Sequence, residues 1–194
     1  MSPPARLPHV TPAEFNIWEQ TQLDRHELVD GVPQLKFVEW IGTEKMVGAT
    51  MGHLLIVKNV FLVVARQLPG SALLPIIADG KVRTPGGNYR YPDVSIDRGP
   101  HDLEATELAN PVAVIEVLSK STHWIDHNSK LHDYQSVPTI QYILLLAQDE
   151  MRGQLWVRGP AGWAREELRK PEDIVSFPAA EVQFTLADAY EGIF

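Results

Sequence analysis

The sequence predicts an α/β domain, in which a mixed sheet is flanked by helices, from three observations. The segment Pro111–Leu118 is apolar except at Glu116, which is typical of a central strand covered on both faces. Thr50–Leu68 has the length of a helix, and Pro69-Gly70 directly after it would end that helix. A further helical segment and a second buried strand follow Leu118, so the pattern ends as strand, helix and strand.

The N-terminal part of the chain is predicted to form a helix, a hairpin and a loop before that long helix. The segment Thr11–Gln22 begins with threonine, then proline, then glutamate three residues after the threonine, which is a capping box at a helix start. Asp30-Gly31 stands between apolar stretches and predicts a hairpin turn, with the second strand reaching about Val38. Residues 42–48 are predicted to be a loop.

The remaining elements are shorter and are separated by glycine and proline turns. Strands are predicted at Leu73–Ala78, Lys81–Thr84, Pro92–Ile96 and Ile140–Ala147. A helix that follows Ser119–Thr122 should end before Pro138, and the last elements are a hairpin at 154–157 and 163–168 and a short helix at 187–190. We expect one domain over 1–194, with a core at about 11–158 and a C-terminal hairpin and short helix over 159–194.

Composition limits the possible functions. The chain has 194 residues, 44% of them hydrophobic and 22% charged, which suits a single globular domain. It has no cysteine, which excludes disulfides, cysteine-based zinc sites and a thiol nucleophile and fits a cytoplasmic location. The first ten residues lack the apolar run of a secretory signal, and polar residues interrupt Leu54–Leu68, so no membrane span is expected.

The net charge of −8 counts against a protein that holds nucleic acid by bulk electrostatics, because such proteins are usually basic. It does not exclude an enzyme whose site receives positive charge from a divalent metal ion, since the ion reverses the local field.

Glu116 is the most informative candidate residue. It interrupts the predicted central strand close to its C-terminal end and, by alternation, shares a face with Val114 and Leu118. Burying an unpaired carboxylate costs several kcal/mol, so Glu116 should hold a metal, another cation or a proton. Ligands of open α/β sheets gather at the carboxyl ends of strands. The alternative is a structural glutamate that pairs with an arginine or caps a loop.

Two further residues become candidates for the same site once Glu116 is considered a ligand. Asp93 follows Pro92 and by itself indicates only a turn, but it would supply a second oxygen ligand to Mg²⁺, which proteins hold with one or two carboxylates. Lys130 lies on the helix after the Glu116 strand, at the border of that helix's apolar face, where its ammonium could reach the strand end. The alternative for Lys130 is a surface ion pair with Asp126, which contributes little to stability.

Several short motifs then occur in a fixed order: ELVDG at 27–31, YPDVS at 91–95, IEVLSKST at 115–122, and KLHDY at 130–134 after Asp126. Their order and spacing resemble the bacterial Uma family of restriction endonucleases, which belongs to the PD-(D/E)XK nuclease superfamily. The resemblance spans about 11–157, and FTLADAY at 184–190 fits the family's usual ending. It implies a restriction-endonuclease-like core.

The resemblance also implies roles for residues. Asp93 matches the superfamily's first acid and Glu116 its second, and they would hold Mg²⁺ or Mn²⁺, with the Val117 carbonyl as a further ligand. The superfamily's lysine normally stands two residues after the second acid, where this chain has Leu118, and Lys130 is the expected substitute. Glu27 matches an early acid that would add to the metal shell. The expected reaction is endonucleolytic hydrolysis of nucleic acid, with DNA as the expected substrate.

Other residues are weaker candidates. A basic group before Asp93 would contact phosphates or else lie on a solvated hairpin: Lys81, Arg83 and Arg90. His53 and Ser119 would face the cleft, although a capping role is the alternative for both.

Two other functions remain open. His123 and His127 are four residues apart on a predicted helix and would suit a zinc hydrolase, although zinc needs three or four ligands. A nuclease-fold interaction protein without activity is the other alternative, favoured by Leu118 and by the acidic net charge. A homodimer is one expectation, because duplex cleavage often uses two paired sites.

Overall fold

The computed structural model describes residues 9–36, 38–41, 44–47, 49–118 and 125–194, with backbone only for 38–41, 44–47 and 125–127. Its helices are α1 (Pro12–Glu19), α2 (Met51–Ala65), α3 (Ile125–Ser136) and α4 (Leu186–Ala189), and a 3-10 turn spans Pro178–Ala180. Its strands are β1 (His26–Val29), β2 (Val32–Leu35), β3 (Val38–Ile41), β4 (Glu44–Val47), β5 (Leu74–Ile77), β6 (Val82–Arg83), β7 (Tyr89–Arg90), β8 (Val94–Asp97), β9 (Pro111–Leu118), β10 (Tyr142–Ala147), β11 (Gly153–Gly159), β12 (Gly162–Leu168), β13 (Ile174–Phe177) and β14 (Val182–Thr185).

A six-stranded mixed sheet organises the fold, with strand order β12-β11-β10-β9-β8-β5. The central strands β9 and β10 are parallel, and α3 lies between them in sequence as their crossover. The other pairs of adjacent strands in this sheet are antiparallel. A second sheet has the order β2-β1-β7-β6, and two hairpins are formed by β3 with β4 and by β13 with β14.

The main sheet is covered on both faces because alternate side chains of β9 point to opposite sides. On one side, Ile115 and Val117 pack in a cluster with Ile56 and Val60 of α2. On the other side, Val114 packs with Tyr134 of α3 and with Ile143 and Leu145 of β10. The prediction of an α/β fold with a mixed sheet flanked by helices is therefore confirmed.

The starts of both long predicted helices are also confirmed. Thr11 and Glu14 form the predicted capping box of α1, with the Glu14 carboxylate 2.8 Å from the Thr11 backbone nitrogen. Thr50 caps α2 by accepting a hydrogen bond from the His53 backbone nitrogen at 3.3 Å. The first helix ends at Glu19, earlier than the expected Gln22.

The hairpin at Asp30-Gly31 is confirmed, since Val29 pairs with Val32 beside the turn. The prediction of a loop over residues 42–48 was wrong for Glu44–Val47, which pairs with β3 as strand β4. The glycines at both ends of that segment suggested a loop, but hairpin pairing between adjacent segments satisfies its backbone. The prediction also missed β7 and the β13–β14 hairpin, whose Phe177 and Phe184 belong to the main hydrophobic cluster.

No helix in the described ranges is both long enough and apolar enough to cross a membrane.

Candidate active site

Asp93 and Glu116 meet because strands β8 and β9 are antiparallel neighbours. Val94 pairs with Ile115, so continuing the register by one residue sets Asp93 across from Glu116. The Val117 backbone nitrogen donates a 2.9 Å hydrogen bond to Asp93 Oδ2. The two carboxylic acids are 3% and 5% exposed, respectively. The chain thus buries two acids that are distant in sequence at one point of the central sheet.

Two donors from α3 approach the same carboxylate oxygen of Glu116. Tyr134 donates its hydroxyl hydrogen to Glu116 Oε1 at 2.6 Å, and Lys130 Nζ lies 3.4 Å from that oxygen. Burial raises the pKa of Glu116, and although the charge of Lys130 lowers it, the nearby Asp93 and Glu27 raise it further. The net result is a Glu116 pKa above its ordinary value, because this carboxylate is buried and lies beside two other acids.

Asp93 lies beside a lysine and a histidine instead. Lys36 Nζ lies 3.7 Å and His53 Nε2 lies 3.6 Å from Asp93 Oδ1. Burial raises the pKa of Asp93, but the contacts with His53 and Lys36 and the hydrogen bond from Val117 outweigh burial and lower the pKa to about 2. Asp93 is therefore an ionised carboxylate at neutral pH.

Glu27 brings the second sheet into the site. It lies on β1, and its Oε2 accepts a 2.9 Å hydrogen bond from Arg90 Nη1. Its Oε1 lies 3.1 Å from Lys130 Nζ and accepts a 3.3 Å hydrogen bond from the Tyr91 backbone nitrogen. Burial raises the pKa of Glu27, but the positive charges of Lys130 and Arg90 outweigh burial and leave that pKa below its ordinary value.

Lys130 connects two of the three acids, because the same ammonium contacts Glu27 and Glu116. Its side chain is 20% exposed. Burial lowers the pKa of Lys130, but the charges of Glu116 and Glu27 outweigh burial and raise it above its ordinary value. Lys130 thus remains protonated in the site. The side chain of Asp126, the alternative partner, lies outside the described residues.

Two of the three basic residues expected to contact phosphates are instead buried and ion-paired. Arg90 is 4% exposed and binds Glu27 and Asp133, with Nε 2.7 Å from Asp133 Oδ2. Lys81 is buried, with Nζ 3.2 Å from Glu19 Oε2. This corrects the interpretation of Lys81 and Arg90 as exposed phosphate contacts, because carboxylates from other segments enclose them. Arg83 is exposed.

Of the other candidate residues, some lie at the site and some lie outside the described part of the chain. His53 lies beside Asp93, whereas Ser119 and His123 lie outside the described residues, as does the side chain of His127. The described contact of Val117 with Asp93 is made by its amide rather than its carbonyl.

Three residues at this site were not predicted from the sequence: Tyr134, Asp133 and Lys36. Tyr134 was assigned to the apolar face of α3, although Tyr134 and Asp133 both belong to the KLHDY motif. Lys36 follows β2 and stands in no motif, so no sequence signal indicated it.

The donor set fits a hard divalent cation, although the described residues contain no cluster of three or more His, Cys, Asp or Glu arranged to hold a metal. Mg²⁺ requires only one or two carboxylates and completes its shell with water and substrate phosphate. Burial and like charge raise the pKa of Glu116, so a cation between Asp93 and Glu116 would stabilise both carboxylates. Asp93 and Glu116 are therefore the residues that fit such an ion.

The fold and the buried acids at the sheet's centre define a restriction-endonuclease-like protein. The chain belongs to the Uma2 family, described as "Putative restriction endonuclease", whose model matches residues 12–189. The family resemblance seen in the sequence motifs is thereby confirmed, and the chain is a member of a nuclease family.

Known proteins that are similar to the chain include an uncharacterised protein and a solved structure. One is "Uncharacterized protein slr1290" of Synechocystis sp. (strain ATCC 27184 / PCC 6803 / Kazusa), which is 29% identical over 163 residues, covering 83% of this chain and 80% of that protein. The other is a solved structure from Anabaena variabilis ATCC 29413, described as "a putative nuclease belonging to DUF820", with a TM-score of 0.69 and 19% identity. The match covers 93% of this chain and 97% of that chain, and it shows that the two share a fold.

Proposed function

We propose that this protein is an endonuclease that hydrolyses phosphodiester bonds of DNA with a divalent metal ion, Mg²⁺ or Mn²⁺, held by Asp93 and Glu116. One observation carries the proposal: the antiparallel register of β8 and β9 sets the two acids side by side, and Lys130 contacts Glu116 there. Membership of the Uma2 family supports the hydrolytic class.

The protein's own residues would position the reacting groups around that ion. When bound, the ion would polarise the phosphoryl oxygens and lower the pKa of a water molecule. The Tyr134 hydroxyl holds Glu116 Oε1 at 2.6 Å, which fixes the orientation of the carboxylate. The ammonium of Lys130 places a positive charge beside Glu116, where it would stabilise negative charge on the transferring phosphoryl group.

Glu27 would act mainly by holding the positive groups in place. It contacts Lys130 at 3.1 Å and Arg90 at 2.9 Å, so its two oxygens link α3 with the second sheet. A direct metal contact by Glu27 would have to replace one of these ion pairs. We therefore propose Asp93 and Glu116 as the direct metal ligands, and Glu27 as a ligand only if one of its ion pairs breaks.

DNA is the proposed substrate because the family is described as restriction endonucleases. The net charge of −8 indicates that binding would depend on the metal site and local contacts rather than on a broad basic surface. A homodimer would supply one site for each strand of a duplex, and light scattering of the purified protein with and without a DNA duplex tests this part of the proposal.

The central experiment measures cleavage of supercoiled and linear DNA in Mg²⁺, in Mn²⁺ and in EDTA. We expect cleavage by the wild type in either metal and none in EDTA. Glu116→Gln and Asp93→Asn should each lower the cleavage rate by at least roughly a hundredfold. Glu172→Gln is the matched control, because it makes the same acid-to-amide change at an exposed position and should keep full activity. Equal activity of Glu116→Gln and the control would contradict the proposal.

A nuclease-fold binding protein without catalytic activity is the second candidate function. It is favoured by Leu118, which occupies the superfamily's lysine position and packs against the apolar cluster of Val114 and Tyr134. This candidate predicts DNA binding that is insensitive to EDTA and no cleavage in any metal, so the same assay separates it from the nuclease.

A further inference from the structure

Lys36 reaches the candidate metal site from the N-terminal hairpin. It directly follows β2, and its backbone nitrogen donates a 2.9 Å hydrogen bond to the Arg25 carbonyl, which fixes the start of the side chain. The Lys36 side chain is only 2% exposed, and its Nζ lies 3.7 Å from Asp93 Oδ1. A buried ammonium thus faces the carboxylate proposed as the first metal ligand.

The charge of Lys36 reaches both proposed ligands. Its Nζ contacts Asp93 Oδ1 at 3.7 Å, and the register of β8 and β9 places Glu116 across from Asp93. A positive charge that stabilises ionised carboxylates must also repel a metal ion bound between them, because the ammonium and the divalent cation carry charges of the same sign. The low exposure of Lys36 limits screening of this repulsion by solvent ions.

Lys130 differs from Lys36 in the acids it contacts. The ammonium of Lys130 lies nearer to Glu27, at 3.1 Å, than to Glu116, at 3.4 Å, so part of its charge is balanced by an acid outside the proposed ligand pair. Lys36 contacts Asp93, which is one of the two proposed ligands.

We propose that Lys36 competes with the divalent ion for Asp93 and thereby sets the metal affinity of the site. The proposal rests on the metal site of the proposed function, but it concerns binding rather than catalysis. In the metal-free protein the ammonium of Lys36 stabilises ionised Asp93, and the ion binds against the repulsion of that ammonium. Lys36 is thus a positioning residue for Asp93 and a determinant of metal affinity.

The test compares Mn²⁺ binding to the full chain by calorimetry and by electron paramagnetic resonance. Lys36→Met keeps the length of the side chain and removes the charge, so Mn²⁺ should bind at least roughly tenfold more tightly than to the wild type. Lys36→Arg keeps the charge and should bind Mn²⁺ as weakly as the wild type. Lys58→Met is the matched control, since Lys58 is exposed on α2 and its removal should leave the Mn²⁺ affinity unchanged.

A second measurement uses thermal unfolding with and without Mn²⁺. In EDTA, Lys36→Met should melt below the wild type because Asp93 loses a buried cationic partner. Mn²⁺ at one fixed excess should raise its melting temperature by more than that of the wild type, since stabilisation grows with the logarithm of the ligand concentration divided by Kd. If Lys36→Met does not fold in EDTA, Lys36→Gln provides the same loss of charge with a polar side chain.

The outcomes separate this inference from the proposed nuclease activity. Equal or weaker Mn²⁺ binding by the folded Lys36→Met or Lys36→Gln variant would overturn the competition between Lys36 and the metal. Tighter Mn²⁺ binding by these variants, together with a wild type that cleaves no nucleic acid, would support the competition and contradict the proposed function. Mn²⁺ binding that survives in Asp93→Asn and Glu116→Gln would overturn both, because the ion would lie elsewhere.

Discussion

Replacement of Arg90 by methionine is expected to destabilise the protein strongly. Arg90 donates hydrogen bonds to Glu27 at 2.9 Å, to Asp133 at 2.7 Å and to the Ser129 hydroxyl at 2.8 Å. Both acids are buried, so Arg90→Met removes the charge that pairs with Asp133 and one of the two described charges that contact Glu27. Lys130 still contacts Glu27, which softens the loss for one acid but not for Asp133.

The expected loss in the free energy of unfolding follows from these contacts. Each hydrogen bond to a charged group contributes about 1.5–3 kcal/mol, and removing one partner of a buried ion pair costs about 3–5 kcal/mol. We therefore expect the free energy of unfolding to fall by about 3–5 kcal/mol. For a chain of this length the melting temperature should fall by roughly 6–20 °C, at 2–4 °C per kcal/mol.

The assay is urea unfolding of the metal-free protein, followed by circular dichroism and tryptophan fluorescence. Arg83→Met is the matched control, because Arg83 is exposed and its replacement should change the free energy of unfolding by less than about 0.5 kcal/mol. A loss below about 1 kcal/mol in Arg90→Met, combined with weaker DNA binding, would refute the structural role and restore the phosphate-contact interpretation.

Three further predictions concern the acids of the site, with stability measured in EDTA and metal binding measured without it. Glu116→Gln should raise the free energy of unfolding at pH 7, because the amide does not bury a negative charge beside Asp93 and Glu27. Its folded-state pKa is raised, so its ionised form opposes folding above that pKa; a lower stability in urea unfolding would contradict this. Tyr134→Phe removes the 2.6 Å hydrogen bond to Glu116 and should cost about 1.5–3 kcal/mol and weaken Mn²⁺ binding in calorimetry, whereas unchanged affinity would show that Tyr134 does not orient the carboxylate. The pKa of Asp93 is held at about 2, so its stabilising contribution is present above its ordinary value of 3.8 and is lost as the pH falls toward 2. Asp93→Asn should flatten the fall in stability over this range, and an unaltered pH profile would contradict the depressed pKa.

Much of the fold could be predicted because its signals are local. Capping residues marked the helix starts, Asp30-Gly31 marked a hairpin, and the apolar run over Pro111–Leu118 marked the central strand. The missed elements depend on distant partners instead. Tyr89–Arg90 forms a strand only because Leu28 of β1 pairs with Tyr89, and no local pattern contains that pairing.

The candidate site also contains residues that local sequence signals indicate and residues that depend on distant partners. Glu116 could be singled out because a carboxylate in an apolar strand is conspicuous, and the sequence motifs indicated Asp93. The positions of the basic side chains could not be predicted from the sequence, because Arg90 and Lys36 form ion pairs with carboxylates from other segments. Both lysine and arginine are usually exposed, so their burial follows only from the tertiary arrangement of the acids.

Anomalous diffraction from a crystal soaked in Mn²⁺ tests the proposed metal site most directly. We expect a manganese peak between the carboxylates of Asp93 and Glu116, and no such peak in a Glu116→Gln crystal treated in the same way. A wild-type crystal with full Mn²⁺ occupancy elsewhere and none between these two acids would contradict a metal site at Asp93 and Glu116.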